Sequence, residues 1–493
     1  MSTIKHFLKD TLIYGLATVL PRVINFLLVK IHTDALPANS YADNTNFYIW
    51  AGLLAVLLTY GMETSFFRFY NTDNKKDAII STSFISILVT TIVFVILGYS
   101  FSNFFINIFD FEENPLRLKL LIAILAIDTL SIVPFAYLRA TNKSISYATI
   151  KLMNVFVIVV INLLFLKYIP IYLEKGNVLP EFIQHNYDLT PKVNYIFIAN
   201  LVGSAISFLM LIPYLVKFKI SFELVLLKKM LNYGWPILVA GIAYVINENL
   251  DKYLIGKMMD KEAMGIYSAV YKLAIFMNLY IMAFKLGAEP FFFSQQSKEN
   301  AKEIYAQIMK YFTIVGAFAL LGIVAFIDIL KHFINENYWS ALAIVPIVLL
   351  ANLLLGMYHN LSVWYKLTDK TRFAMYFSLL AAFVTVAVNL IFIPMMGYMA
   401  SAWATLLAYG SMVIASYFYG KRYYPVPYEI KKIMNYIFLS VGLSTLSFLY
   451  FREQSYVSLA MLLIFGGFIY WNEQAQLKLL FKKSIKNEGS NSQ

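Results

Sequence analysis

Apolar residues gather along this chain of 493 residues in fourteen blocks, at about 11–31, 46–70, 78–106, 118–140, 146–168, 193–217, 232–257, 264–294, 305–329, 340–366, 371–393, 397–420, 431–451 and 455–473, parted by short polar stretches. A helix needs roughly 20 apolar residues to cross a bilayer, and lipid forces its backbone polar groups to be satisfied within the segment. The pattern therefore predicts an all-α membrane protein with about 14 transmembrane helices. Several blocks contain Gly or Pro, which such helices tolerate. The longest connection, YIPIYLEKGNVLPEFIQHNYDLTP, is 24 residues, and no soluble domain interrupts the series. The amino terminus, MSTIKHFLKDTLIYGL, places basic residues before an apolar run without a small-residue cleavage site, so the first run is expected to stay as an anchor.

Composition agrees with this pattern. The chain is 60% hydrophobic and 14% charged, against about a quarter charged in soluble domains. It has no cysteine, which excludes disulfides, thiolate metal sites and cysteine nucleophiles. Its net charge of +12 would suggest nucleic acid in a soluble protein, but the distribution points elsewhere. With an even number of spans both termini share a side, assigned to the cytoplasm. The segments of that side hold 26 of the 40 Lys and Arg and the opposite side 9, the bias that retains basic loops inside. The charge reflects topology, and no nucleic-acid partner is expected.

Two halves repeat. Arg139-Ala-Thr-Asn-Lys143 matches Lys366-Leu-Thr-Asp-Lys370, and the same offset of 227 aligns Asn162-Leu-Leu-Phe165 with Asn389-Leu-Ile-Phe392. Tyr-Gly pairs at 14–15 and 233–234 open the first and seventh runs, and GMETSFF (61–67) echoes GAEPFFF (287–293). These anchors predict a six-helix lobe at 1–220, a second at 221–425, two additional spans at 426–475 and a basic cytoplasmic tail at 476–493. Six is even, so the lobes are parallel repeats related by a pseudo-twofold along the membrane normal, an arrangement that places a transport site between them.

Ionisable groups inside spans are costly and mark functional sites. In the first run Pro21 kinks the helix beside Arg22, with Asn25 one turn on. Arg22 either meets a substrate or ties helices together; its fork suits phosphate. The seventh run carries Glu248, Asp251 and Lys252, either a self-neutralised group or a coupling-ion and gating cluster. The eighth holds Lys272, Lys285 and Glu289. Glu289 and its counterpart Glu63, near Arg68, are expected to latch an inner gate or bind a coupling ion, and Asp128 in the fourth run is a further candidate. Cations in both halves, Arg22 against Lys252, Lys272 and Lys285, would favour an anionic headgroup such as pyrophosphate. There are only five histidines and no H-E-x-x-H, P-loop or Gly-rich fingerprint, so no catalysis, cofactor, metal or ATP is expected.

The kinked basic first run, the repeat, and Val-Pro-Phe-Ala-Tyr-Leu-Arg-Ala-Thr-Asn-Lys at 133–143 together resemble the polysaccharide transporters of the multidrug/oligosaccharidyl-lipid/polysaccharide (MOP) superfamily. Bacterial O-antigen-type and capsule-type flippases are the most similar. The resemblance implies a multi-pass protein of the bacterial cytoplasmic membrane. It would move an undecaprenyl-pyrophosphate-linked oligosaccharide to the outer leaflet by alternating access, for cell-surface polysaccharide biosynthesis. Its partners would be that glycolipid, membrane lipids and a coupling proton or sodium ion, with Arg22, Lys272 and Lys285 matching the family's cleft cations. Peptidoglycan-precursor flippases are similar but carry more cleft arginines. One alternative is a multidrug extruder of the same superfamily, which would use Glu63, Asp128 and Glu289 toward cations. Another is a polytopic glycosyltransferase or polymerase, for which the 24-residue loop offers little room.

Overall fold

The computed structural model describes residues 2–490 apart from 217, 297 and 369, with side chains described for 19–474 apart from those three and 286, 287, 289, 290, 293 and 294. Every regular element among these residues is helical. The long helices in chain order are α1 (Ser2–Ala35), α2 (Ala38–Thr59), α3 (Met62–Thr72), α4 (Lys76–Ser100), α5 (Leu116–Ala140), α6 (Ser144–Leu163), α7 (Lys192–Leu215) and α8 (Leu224–Met258). They continue as α9 (Lys261–Tyr271), α10 (Ile275–Gln295), α11 (Ala301–Ala325), α12 (Ile344–Leu361), α13 (Arg372–Met396), α14 (Tyr398–Tyr423), α15 (Ile430–Tyr450) and α16 (Ser455–Ser490). Thirteen segments among the described residues are long and apolar enough to cross a membrane, and the remaining predicted run, 11–31, falls within α1.

Periodicity on α4 shows why an apolar run reads as a spanning helix. Val89, Ile92, Val93 and Ile96 are exposed along one stripe, while Ile79, Ser83, Ile87 and Thr91 are buried on the other face. The apolar side faces lipid and small polar groups turn inward, where Ser83 donates to the Ile79 carbonyl and so stays satisfied without water.

Three predicted features differ in detail. The second run is two helices: Tyr60 and Gly61 adopt positive φ values of 35° and 74° and break it between α2 and α3. Within the eighth run a 3-10 turn, Lys272–Ala274, separates α9 from α10. The 24-residue connection is largely helical, a π-turn at Leu164–Tyr168 leading into Ile169–Glu174 and Glu181–Leu189.

The chain divides into two compact units. The first comprises Met1–Lys272, Phe333–Leu342 and Thr371–Ala408, the second Leu273–His332, Ala343–Lys370 and Tyr409–Gln493. In the first, α7 packs on α5 and α6, α8 on α13 and α2, and α9 on α2. The last contact needs Gly265, because a Cβ there would stand 2.0 Å from the Ala38 carbonyl oxygen. In the second, α11 is the hub for α12, α15 and α16. Lys310 on α11, wholly buried, donates to Glu429 at 2.8 Å and pairs with Glu473 at 3.0 Å, holding α15 and α16 in place. Glu429 is drawn below its usual carboxylate range, first by the hydrogen bond from Lys310.

The repeat recurs as local hydrogen bonding. Thr141 and Thr368 each cap a helix and donate to the carbonyl four residues back, at 2.7 and 2.9 Å. Lys143 and Lys370 each donate a backbone N–H five residues back, to Leu138 and Tyr365, both at 2.8 Å. Asn162 and Asn389 are fully buried and donate to the carbonyls of Ile158 and Thr385, again at 2.8 Å in both.

Candidate functional site

The GMETSFFRF motif is first a packing device. Gly61 lies against the Gly234 backbone, Ser65 donates to the Met230 carbonyl at 3.0 Å, and the Arg68 guanidinium stands 4.1 Å over the Tyr233 ring. This α3 face is fixed to the start of α8, which accounts for Tyr233-Gly234 there. Glu63 takes the other side. Its partner is Arg139 of α5, at 3.0 Å, although Arg68 is nearer in sequence. Arg68 is committed to Tyr233 because α3 turns it toward α8.

Beside that ion pair lies a cavity of about 410 Å3 lined by α5, α6 and α7, with Glu63 at one edge. Asp128, Lys151, Asn154, Asn200 and Ser204 contribute polar groups and Phe135 and Tyr147 an aromatic wall. Ser204 donates a hydrogen bond to Asp128. The Lys151 ammonium stands 4.2 Å over the Phe135 ring and within electrostatic reach of Asp128. Asn200 donates to Tyr48 at 2.6 Å and to the Ile196 carbonyl at 2.8 Å. The sequence counts Lys151 among the 26 basic residues of the side assigned to the cytoplasm, although it falls within the run 146–168. Because α6 begins at Ser144, the lysine enters two turns deep and faces the cavity.

The cationic candidates are distributed as follows. Arg22 and Asn25 are exposed on α1, and Arg22 and Glu248 both act electrostatically on Tyr244 of α8. Lys272 is half-buried, 5.3 Å over the Tyr41 ring. Lys285, in the second unit, lies near His359. Lys252 is buried and its ammonium is held by Asp251 at 3.0 Å and by the Glu248 carbonyl, above the Tyr271 ring at 4.1 Å. Tyr267 donates to Asp251 at 2.8 Å, and nearby Thr385 of α13 donates to Asn247 at 2.9 Å. Lys252 is thus neutralised in place. Glu289 lies outside the residues with described side chains. The structure brings Glu63 and Asp128 to one cavity, and Glu248, Asp251 and Lys252 to one turn of α8. Among the described residues, no group of three or more His, Asp or Glu gathers as a metal-ligating set.

Sequence reasoning missed a network on the opposite side. Asp43 at the start of α2 accepts from Arg117 at 2.9 Å, with both side chains nearly buried, and pairs with Lys261 at 3.5 Å. Lys261 also reaches Glu113 at 2.7 Å, and Lys257 reaches Asp110 at 2.6 Å. The hydrogen bond from Lys261 holds the Glu113 carboxyl below its usual range. The available signal was a set of opposite charges on one predicted side: Asp43, Asp110 and Glu113 with Arg117, Lys257 and Lys261. Counting only Lys and Arg discarded half of it.

Residues 7–292 match the family model described as "Polysaccharide biosynthesis protein". No curated protein matches the sequence. Among solved structures, the fold is similar to one described as "Lipid II flippase MurJ, inward closed conformation". The TM-score is 0.72 at 17% identity, covering 94% of this chain and 99% of that one. It is also similar to the inward-facing conformation of a multidrug resistance MATE family transporter of the MOP superfamily, with TM-score 0.64, 13% identity and coverage of 84% and 96%. A MOP superfamily transporter from Pyrococcus furiosus, described as having a binding pocket of reversed polarity, gives 0.59 at 13% identity, covering 84% and 95%.

Proposed function

Because the chain belongs to the polysaccharide biosynthesis protein family, we propose that it is a flippase. It carries an undecaprenyl-pyrophosphate-linked oligosaccharide from the cytoplasmic to the outer leaflet by alternating access, for cell-surface polysaccharide assembly. The observation that carries this reading is the exposed Arg22 and Asn25 beside Pro21, in the middle of an otherwise apolar first run. An exposed guanidinium at that depth is stable where water or an anion meets it, and its planar fork matches a phosphate. Lys272 is assigned to the same headgroup. Both termini lie in the cytoplasm, the halves 1–220 and 221–425 are the two lobes, and Glu63, Asp128, Glu248, Asp251 and Glu289 serve gating or proton or sodium coupling. Lys252, held by Asp251, orients that carboxylate.

The test is reconstitution into proteoliposomes with a fluorescent polyprenyl-pyrophosphate oligosaccharide, scoring leaflet transfer with and without an ion gradient. Arg22→Ala and Lys272→Ala are each expected to slow transfer by roughly tenfold to a hundredfold, the loss of a charge-assisted hydrogen bond of about 1.5–3 kcal/mol. Full transfer in both variants would remove these residues from the headgroup site.

A second reading, a cation-coupled multidrug extruder, would use Glu63 and Asp128, two carboxylates at one cavity, as its ion-coupling groups. Gradient-driven efflux of a cationic dye without lipid transfer would select it.

A further inference from the structure

We propose that the cavity between α5, α6 and α7 holds sugar: it receives the glycan of the lipid-linked substrate, apart from the site that handles the pyrophosphate. This assignment rests on the flippase reading above and adds to it a glycan subsite.

The chemistry of the lining selects the guest. A polyprenyl tail is excluded by a wall that presents Asp128, Lys151, Asn154, Asn200 and Ser204. A pyrophosphate is disfavoured because Asp128 and Glu63 oppose it and the one lining cation, Lys151, already faces Asp128. An organic cation is disfavoured for the converse reason, since Lys151 cancels the charge of Asp128 where the guest would sit. What remains is an uncharged molecule rich in hydroxyls. Carboxylate oxygens accept from hydroxyl pairs, amides donate and accept at once, and an ammonium donates. Phe135 and Tyr147 meet edge to face at 5.5 Å and give the cavity an apolar side for the C–H face of a sugar ring. Its 410 Å3 lies within the range of small-molecule sites, roughly 300–1,000 Å3, and accommodates one or two rings.

Placement supports the same guest. Asp128 sits midway along a spanning helix with its side chain uncovered on the cavity side, so the cavity is open. Arg139, Glu63 and Tyr147 lie toward the helix ends assigned to the cytoplasm, the side on which a lipid-linked glycan is made before transfer. Gly203 brings α7 close to the Asn154 amide: a Cβ there would stand 3.2 Å from its nitrogen, so α6 and α7 pack tightly beside that group.

Two measurements on the full chain test this. In proteoliposomes, Asn154→Leu and Asn154→Ala are compared with wild type on two probes, a fluorescent polyprenyl-pyrophosphate oligosaccharide and the same lipid with no sugar. Transfer of the glycosylated lipid is expected to fall about tenfold while the sugar-free lipid moves at the wild-type rate. Equal loss on both probes, or no loss on either, overturns the proposal. The second measurement needs no transport: saturation-transfer NMR on the detergent-solubilised protein with free maltose and N,N′-diacetylchitobiose. At least one disaccharide should show saturation that Asn154→Leu and Asn154→Ala abolish. Absence of saturation with wild type overturns the sugar site. Sugar saturation in a protein that transfers neither lipid keeps the site and sinks the flippase reading instead.

Discussion

Asp43 and Arg117 meet at 2.9 Å with only 9% and 4% of their side chains exposed, joining the start of α2 to the start of α5 inside the first unit. Breaking a buried pair by removing one partner leaves the other charge desolvated, at a cost of about 3–5 kcal/mol. Asp43→Ala is therefore expected to lower the unfolding midpoint of the detergent-solubilised protein sharply, and Asp43→Leu combined with Arg117→Leu much less. Equal melting of Asp43→Ala and wild type would show that the pair bears no load.

Lys310 gives the same test in the second unit. It is wholly buried, and Glu473, 2% exposed, shares it with Glu429. Tyr436 also donates to Glu473 at 2.9 Å. Lys310→Met should destabilise by about 3–5 kcal/mol, and adding Glu473→Gln should recover part of that loss because no buried carboxylate is then left without a cation. Limited proteolysis would show the damage first at α15 and α16.

Gly61 tolerates no side chain. It holds φ at 74° and a Cβ there would stand 2.6 Å from the Gly234 carbonyl oxygen. Gly61→Ala should cost at least about 1 kcal/mol from the left-handed backbone alone, and Gly234→Ala should also destabilise, its Cβ standing 2.9 Å from the Tyr60 carbonyl oxygen. Thermal unfolding of the two variants checks this; wild-type melting of Gly61→Ala would contradict the close contact.

Asp328 makes stability depend on acid. Burial raises its carboxyl, but hydrogen bonds from Arg452, Lys331 and the Glu453 N–H outweigh it and bring the group from 3.8 down to about 2. A carboxyl lowered on folding contributes fully above its unfolded value and loses that contribution as pH falls through the folded one. The excess in unfolding midpoint of wild type over Asp328→Asn should be largest at pH 5 and shrink toward pH 2. An excess that stays constant across that range would rule the linkage out.

The helical architecture was legible because lipid allows an apolar run of that length few other forms. The repeat was legible because Thr141 and Thr368, and Asn162 and Asn389, make the same local bonds in both places. Partner choice was harder to read. Glu63 finds Arg139 rather than Arg68 because the break at Tyr60–Gly61 redirects α3, and a broken span looks unbroken in hydropathy. Lys151 falls within the run 146–168, but the face it turns toward a cavity between α5, α6 and α7 depends on helix packing, which composition does not encode. The pairing of Asp43 with Arg117, 74 positions apart, depends on how helices pack, which periodicity does not encode.

The network around Asp43 is layered from open to enclosed, and ionic strength acts on those layers unequally. Mobile ions screen over about 8 Å at physiological salt and about 3 Å at 1 M, but only where they can reach. Glu113 is the most exposed, Lys257 and Lys261 less so, Asp110 less again, and Asp43 with Arg117 are closed off. High salt at that face would loosen the tie to residues 110–113 while leaving α2 bound to α5. The rim would soften without the underlying helices coming apart.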